Sequence, residues 1–110
     1  MSVLQLPMFE DKRGCLSIIE ENQHIPFEIA YVEWHSVNNG LRLDYYNRCN
    51  RALVALSGRM SLIVADETSS NTFELSNCYS ALYVPAGLSV NVTGLSDSSN
   101  LLLLASRDIE

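Results

Sequence analysis

Asp44 and Tyr46 are the residues of this sequence whose types and spacing best suit proton-transfer chemistry. Side chains two positions apart in an extended segment point to the same face, so we expect the carboxyl group and the phenol to lie side by side. If burial separated Asp44 from water, the pKa of its carboxyl group would rise and it could act as a base, with Tyr46 as the proton donor. In the alternative interpretation Asp44 is a polar residue at the start of a strand, and Tyr45 and Tyr46 fill a cavity.

Arginines at positions 42, 48 and 51 lie in the same segment as this pair. In an extended chain Arg42 and Arg48 share a face with Asp44 and Tyr46. Their guanidinium groups could bind a diphosphate through charge-assisted hydrogen bonds. The alternative is that they are solvated charges that protect an edge strand from pairing with another chain.

The sequence has two histidines, His24 and His35. His24 belongs to a polar turn. His35 ends an apolar segment beside Trp34, where it could contact a ligand at the mouth of a barrel or be a partly buried neighbour of the core. Two isolated histidines and an Asp-x-Tyr segment do not provide a set of metal ligands, so we expect no metal and no other cofactor.

The elements that position these side chains are short apolar segments separated by turn residues. No stretch of helical length has an apolar period of 3.6 residues, and about eight or nine short strands are expected, so the pattern predicts an all-β barrel or sandwich. The main predicted strands are 15–19, 27–35, 52–56, 59–65, 72–75, 81–84, 88–93 and 101–105. Alternation within the strands predicts that the buried residues include Val54, Leu56, Leu62, Val84 and Leu103.

The segment from Leu101 to Leu104 is apolar on both faces. It could be a strand buried between two layers of the protein. Alternatively, one of its faces could meet a second subunit, and the two interpretations are compatible.

Length and charge limit the classes of function that the chain can have. Its 110 residues favour a single domain, 1–110, and its net charge of −6 argues against binding to nucleic acid or to an anionic membrane. The three cysteines include no CxxC pair, and no secretion signal precedes the first strand, so a reduced, cytoplasmic protein is expected.

Two segments, 40–58 and 83–90, resemble the two sequence motifs of the cupins. The first cupin motif carries His-x-His and a Glu between two glycines, and the second centres on Pro-x-Gly-x-x-His. Both glycines of the first motif are present, as are Pro85 and Gly87. The resemblance implies a double-stranded β-helix, or jelly-roll, barrel. The four positions that usually hold metal ligands fall on Asp44, Tyr46, Asn50 and Val90.

The opening of the chain resembles a more specific group, the nucleotide-sugar 3,4-ketoisomerases, which are WxcM-like cupins that act on dTDP-4-keto-6-deoxyglucose. The matching segments are Arg13-Gly14, Glu20-Glu21 and Ile25-Pro26-Phe27. Further matches near the C-terminus extend the resemblance over roughly residues 11 to 108. The resemblance implies a homodimer, a dTDP-sugar ligand, no catalytic metal and a place in surface-polysaccharide sugar metabolism.

In that family an Arg-Gly-x-His-Ala-His segment supplies the acid and the base, and its histidines correspond to Asp44 and Tyr46 here. The family arginine falls on Leu41, beside Arg42. We therefore expect little or no isomerase turnover and a cavity narrowed by Tyr45 or Tyr46. The candidate substrate-binding residues are Arg42, Arg48, Tyr45, His35 and Tyr83.

Three hypotheses about function stay open. The chain could be a working or retuned isomerase, a non-catalytic relative that binds a sugar nucleotide or a partner protein, or a cupin for a different small molecule. The family-like opening favours the first two hypotheses, and the replaced histidines favour the second over the first.

Overall fold

Alternating apolar residues form two antiparallel β-sheets that face each other. The computed structural model describes residues 2–37, 40–43, 48–96 and 98–108. This part of the chain contains eleven strands and no helix. The strands are β1 (Ser2–Gln5), β2 (Met8–Asp11), β3 (Gly14–Ser17), β4 (Tyr31–Val37), β5 (Gly40–Arg42), β6 (Arg51–Ser57), β7 (Met60–Ala65), β8 (Ser70–Leu75), β9 (Ser80–Val84), β10 (Ser89–Gly94) and β11 (Ser99–Ala105).

The strand order is that of a jelly roll, which confirms the predicted fold class. One sheet has the order β1-β9-β6-β11-β4, and the facing sheet has the order β5-β10-β7-β8. The chain crosses between these sheets at β4–β5, β5–β6, β6–β7, β8–β9, β9–β10 and β10–β11, while β2 and β3 form a separate hairpin. Within the described residues the two sheets are not joined by ladder hydrogen bonds into one closed barrel.

The main hydrophobic core fills the space between the two sheets. Leu53 and Leu103 reach it from the five-stranded sheet, and Leu62 and Val92 reach it from the four-stranded sheet. All four side chains are almost completely buried. Burial of one such side chain stabilises a fold by about 1.5–3 kcal/mol, so this layer holds the two sheets together.

Four of the five residues predicted to be buried are fully buried, but the prediction is wrong for Leu56. Ala55 lies opposite Leu101 and Ser57 lies opposite Asn100, so the register shifts and Leu56 has no residue directly opposite it. A bulge of this kind turns a side chain away from the regular alternation. Leu56 is therefore half-buried.

A second apolar layer covers the outer face of the five-stranded sheet. Ile25 and Phe27 pack there against Ala52 and Leu104. This arrangement explains why the Leu101–Leu104 segment is apolar on both faces, because its strand is covered from both sides within one chain. It also explains why β4 begins at Tyr31 and not at position 27 as predicted, since Phe27 belongs to the covering segment.

Candidate functional site

Tyr31, Glu33 and His35 lie on the inner face of β4, which looks towards the main core. Each of them stands directly opposite a core residue of β11, and opposite residues in an antiparallel pair point to the same face. Their partners on β11 are Ala105, Leu103 and Leu101 respectively. The alternate residues Val32 and Trp34 therefore point to the outer face.

His35 and Glu33 form a close imidazole–carboxylate pair. The Nε2 atom of His35 is 2.8 Å from Oε1 of Glu33, and the side chains are only 20% and 27% exposed. A hydrogen bond from one ring nitrogen to a carboxylate fixes the orientation of an imidazole and determines which nitrogen carries its proton. The pair is thus oriented and shielded, yet it retains contact with solvent.

The position of β4 at a sheet edge keeps this pair accessible. β4 is the last strand of the five-stranded sheet, and β5, which follows it in sequence, is the first strand of the other sheet. The two strands do not pair in the described residues, so Glu33 and His35 have a neighbouring strand on one side only, β11. Inner-face side chains of β4 are therefore less covered than those of the central strands, and both members of the pair remain partly exposed.

Arg51 connects the two sheets at one end of the core. It is the first residue of β6, points to the same side as Leu53, and is completely buried. Its Nη1 donates a hydrogen bond of 3.1 Å to the carbonyl oxygen of Leu43, and its Nη2 donates one to the carbonyl oxygen of Leu88. Because Leu43 follows β5 and Leu88 precedes β10, the guanidinium group fixes the end of the four-stranded sheet. A buried charge is costly unless it is hydrogen-bonded, and these carbonyl groups offset that cost.

Cys49 lies between Tyr31 and Asp108 at the same end of the fold. Its thiol donates a hydrogen bond of 3.1 Å to Oδ1 of Asp108, and its sulfur is 3.8 Å from the hydroxyl oxygen of Tyr31. Burial, followed by the Asp108 carboxylate, raises the pKa of the Cys49 thiol. Burial, followed by the contact with Cys49, raises the pKa of Tyr31 to about 12. Both groups therefore stay protonated at neutral pH, and the thiol is a poor nucleophile.

Asn50 ties together three chain segments at this end. Its backbone N–H donates to the Ser106 hydroxyl at 2.9 Å, and the N–H of Ser106 donates to the Asn50 carbonyl at 2.9 Å. Its side-chain oxygen accepts a hydrogen bond of 3.0 Å from the N–H of Ala86, in the loop after Pro85. A cavity of about 350 Å³ opens here, and it is lined by Glu28, Ile29, Ala30, Asn50, Ser106 and Arg107.

The residues proposed from sequence as the acid, the base and the cavity-filling group, Asp44, Tyr46 and Tyr45, lie outside the described residues. Arg42 is the last residue of β5 and is paired with Asn91. Arg48 is exposed, directly before Cys49.

The other two candidates from sequence, His35 and Tyr83, lie on opposite faces of the five-stranded sheet. His35 faces the core, as described above. Tyr83 packs on the outer face, with its ring centre 6.2 Å from that of Phe27. The structure therefore does not bring these two residues together.

Sequence reasoning missed Glu33 as a partner for His35. The sequence did contain an indication of this pair, because Glu33 and His35 are at alternate positions of a predicted strand and such residues share a face. Whether such a face is buried, exposed or beside an opening depends on which strand lies at the sheet edge, and the local sequence does not contain that information.

No cluster of three or more His, Cys, Asp or Glu side chains that could hold a metal ion occurs in the described part of the chain. At the position of the histidine in the second cupin motif, Val90 is fully buried in the main core. Asn50, at the glutamate position, already accepts a hydrogen bond from Ala86. In the same described part, no helix is long and apolar enough to cross a membrane.

Comparison with known proteins places this geometry in a family. The model of the family described as "WxcM-like, C-terminal" matches residues 1–110. No curated protein matches the chain.

Several solved structures share the fold at low sequence identity. QdtA, a sugar 3,4-ketoisomerase from Thermoanaerobacterium thermosaccharolyticum in complex with TDP, is 22% identical with a TM-score of 0.86, and the match covers 99% of this chain and 82% of QdtA. WlaRB, a TDP-quinovose 3,4-ketoisomerase from Campylobacter jejuni, is 23% identical with a TM-score of 0.82, over 99% of this chain and 86% of WlaRB. The dTDP-6-deoxy-D-glucose-3,5-epimerase RmlC from Legionella pneumophila is 13% identical with a TM-score of 0.79, over 98% and 66% of the two chains.

Proposed function

The chain belongs to the WxcM-like, C-terminal family, and we propose that it binds a dTDP-linked 4-keto-6-deoxy sugar with little or no 3,4-ketoisomerase turnover. The observation that carries this proposal is a family match over residues 1–110 in a chain whose family histidine positions hold Asp44 and Tyr46. Support for the ligand comes from QdtA, which has been crystallised with TDP and, as a histidine-to-asparagine mutant, with TDP-4-keto-6-deoxyglucose. The proposal includes a cytoplasmic location and a role in surface-polysaccharide sugar metabolism.

The low turnover follows from the acid–base properties of the replacing groups. An ordinary aspartate has a pKa of about 3.9 and an ordinary tyrosine one of about 10, whereas a general base works best near the operating pH. Each pKa unit of mismatch corresponds to about 1.4 kcal/mol. A carboxylate and a phenol at positions 44 and 46 would thus be a slow pair for moving a proton between carbon atoms.

The proposed binding site lies at the end of the core where β6 begins. Arg51 fixes the chain at Leu43 and Leu88. Asn50 fixes the loop after Pro85. We propose Arg42 and Arg48 as the cations for the diphosphate, and Tyr45 and Tyr46 as the residues that narrow the site for the sugar.

Titration with dTDP by calorimetry tests binding, and the matched variants Arg48→Ala and Arg59→Ala test the site. Both arginines are exposed, but Arg59 lies at the other end of β6, where it contacts Glu74 at 3.5 Å. Loss of one charge-assisted hydrogen bond costs about 1.5–3 kcal/mol, so Arg48→Ala should weaken dTDP binding about tenfold or more. Arg59→Ala should bind like the wild type.

Incubation with dTDP-4-keto-6-deoxyglucose, followed by proton NMR, tests turnover. Binding without a 3-keto product supports the proposal. Rapid formation of the 3-keto product that is lost in Asp44→Asn would instead show a retuned isomerase. Absence of binding to both dTDP and the sugar nucleotide would favour a cupin for another small molecule.

We also propose that the chain forms a homodimer through the outer face of β4. Val32 is 53% exposed and Trp34 is 68% exposed on this edge strand. They lie opposite Leu104 and Leu102 of β11, so they extend the outer apolar layer beyond the segment that covers it. A second copy that covers this strip would complete the layer.

A further inference from the structure

We propose that His35, oriented by Glu33, is the group of this chain that takes a proton from the carbon next to the keto group of a bound sugar. The inference rests on the proposed function, since it needs a keto sugar in the site. It goes beyond that function because it assigns proton transfer to β4 and not to positions 44 and 46. The expected activity is exchange of that proton with solvent, without completed isomerisation.

The Glu33–His35 pair lies on the inner face of an edge strand. Glu33 and His35 are on the face of β4 that points to the main core, and β4 is an edge strand with a neighbour on one side only. Their side chains are 27% and 20% exposed, so both are shielded by the fold and still keep contact with solvent. Among the described residues, this is the one histidine with a carboxylate partner.

The Glu33 carboxylate determines which ring nitrogen of His35 can accept a proton. With its proton on Nε2, His35 donates to Oε1 of Glu33 across 2.8 Å, and its Nδ1 is then an acceptor. Within the described part of the chain, the structure gives Nδ1 of His35 no hydrogen bond from the protein. A neutral imidazole with one nitrogen held by a carboxylate and the other open is the arrangement of a general base.

The proposed step is balanced without any further reactant. Carbon 3, next to the keto group at carbon 4, releases its proton to Nδ1. The C–H electron pair forms the C=C bond of an enolate, and the carbonyl π pair moves onto oxygen. The carboxylate of Glu33 stabilises the resulting imidazolium. Exchange of the Nδ1 proton with solvent, followed by its return to the same carbon, regenerates the ketone.

Completed isomerisation needs more than this step. A proton must also reach the neighbouring carbon, and the hydroxyl proton must move between the two oxygen atoms. A single imidazole on one strand supplies one of these transfers. Exchange without isomerisation is therefore the signature that connects this inference with the low turnover proposed above.

The test is proton NMR of dTDP-4-keto-6-deoxyglucose in D₂O with the wild type, His35→Gln, Glu33→Gln and the control His24→Gln. His24 lies in a turn, where its Nδ1 accepts a hydrogen bond of 2.8 Å from the N–H of Glu20, away from β4. The wild type should speed the loss of the NMR signal of the proton on carbon 3, the carbon that the proposed step deprotonates. Because a general base contributes about 10²–10⁴-fold, His35→Gln should slow the exchange about 100-fold or more at an unchanged affinity for dTDP. His24→Gln should exchange like the wild type.

Glu33 is a positioning residue, so its variant needs a second measurement. Nitrogen NMR of the His35 ring should show Nε2 protonated in the wild type and a shifted tautomer balance in Glu33→Gln. The same variant should slow exchange while the affinity for dTDP is retained. If His35→Gln does not fold, these two measurements on Glu33→Gln decide the matter.

The outcomes separate the inference from the proposed function. A sugar nucleotide that binds but exchanges no faster than in buffer, or exchanges equally fast in His35→Gln, overturns the inference and leaves the binding function standing. An equal loss of exchange in His24→Gln also overturns it. A wild-type protein that does not bind the nucleotide sugar overturns the proposed function together with the inference.

Discussion

Single residues at the end of the fold near Arg51 have protonation states that their surroundings determine. Arg51 is buried, and its guanidinium group donates hydrogen bonds to two backbone carbonyl oxygens. Its charge therefore helps to hold the two sheets together and does not contact solvent. Cys49 and Tyr31 are both held in the protonated form, mainly by burial. This end of the core therefore combines one buried, hydrogen-bonded cation with a thiol and a phenol that stay neutral.

The raised pKa of Tyr31 predicts a loss of stability at high pH. Its pKa is about 12 in the fold, against 10.0 for the free side chain. The unfolded chain therefore loses this proton first, and the free energy of unfolding falls as the pH rises from the lower value through the higher one. Tyr31→Phe should show a shallower fall over that window. Urea unfolding at several alkaline pH values measures it, and equal slopes for the two proteins would contradict the assigned environment.

The bounds of the observed strands agree with the predicted ones where the apolar alternation is strong. The predicted strands 81–84, 88–93 and 101–105 agree with β9, β10 and β11 to within a residue or two. The apolar pattern does not predict β2, where Glu10 and Asp11 pair with Cys15 and Gly14. Charged residues are tolerated there because this hairpin is exposed, and exposure depends on tertiary structure and not on local propensity.

The candidate site was less predictable than the strands. The position of His35 in a strand followed from alternation, but its partner Glu33 did not. The pair stays partly exposed because β4 is an edge strand of the five-stranded sheet. That relation depends on contacts distant in sequence, as does the burial of Arg51.

Gly58, in the turn between β6 and β7, can be tested by substitution. Gly58 has φ = 77°, and a Cβ there would lie 2.5 Å from the carbonyl oxygen of Ser98 and 2.6 Å from the hydroxyl of Ser96. Gly58→Ala should therefore combine about 1–3 kcal/mol of backbone strain with a similar cost of overpacking.

The matched control for that variant is Gly87→Ala. Gly87 also has a left-handed φ of 98°, but no atom lies within 4 Å of the position that a Cβ would take at this site. Its loss of stability should thus reflect backbone strain alone. Urea unfolding of both variants makes the comparison, and equal losses would mean that the serine loop yields freely around the added methyl group.

The whole molecule is a two-layer core with a third, incomplete layer outside. The covering segment packs Ile25 and Phe27 over the central strands of the five-stranded sheet. It does not cover β4 at the sheet edge, where Trp34 remains 68% exposed. The same strand carries the Glu33–His35 pair on its other face. A subunit contact on the outer face of β4 would therefore fix the strand that positions the proposed proton acceptor.

Trp34→Glu should disrupt the proposed homodimer. Truncation of a central aromatic residue in an interface commonly costs about 2 kcal/mol or more, which weakens association about 30-fold, and a carboxylate in an apolar contact adds to that cost. The control is Phe9→Glu, because Phe9 is 61% exposed on the β2–β3 hairpin and lies away from β4. Sedimentation velocity over a range of concentrations should show Trp34→Glu as a monomer where the wild type and Phe9→Glu are dimers. A dimer that survives Trp34→Glu but dissociates in Phe9→Glu would move the interface to the hairpin, and a wild-type monomer at all concentrations would refute the homodimer.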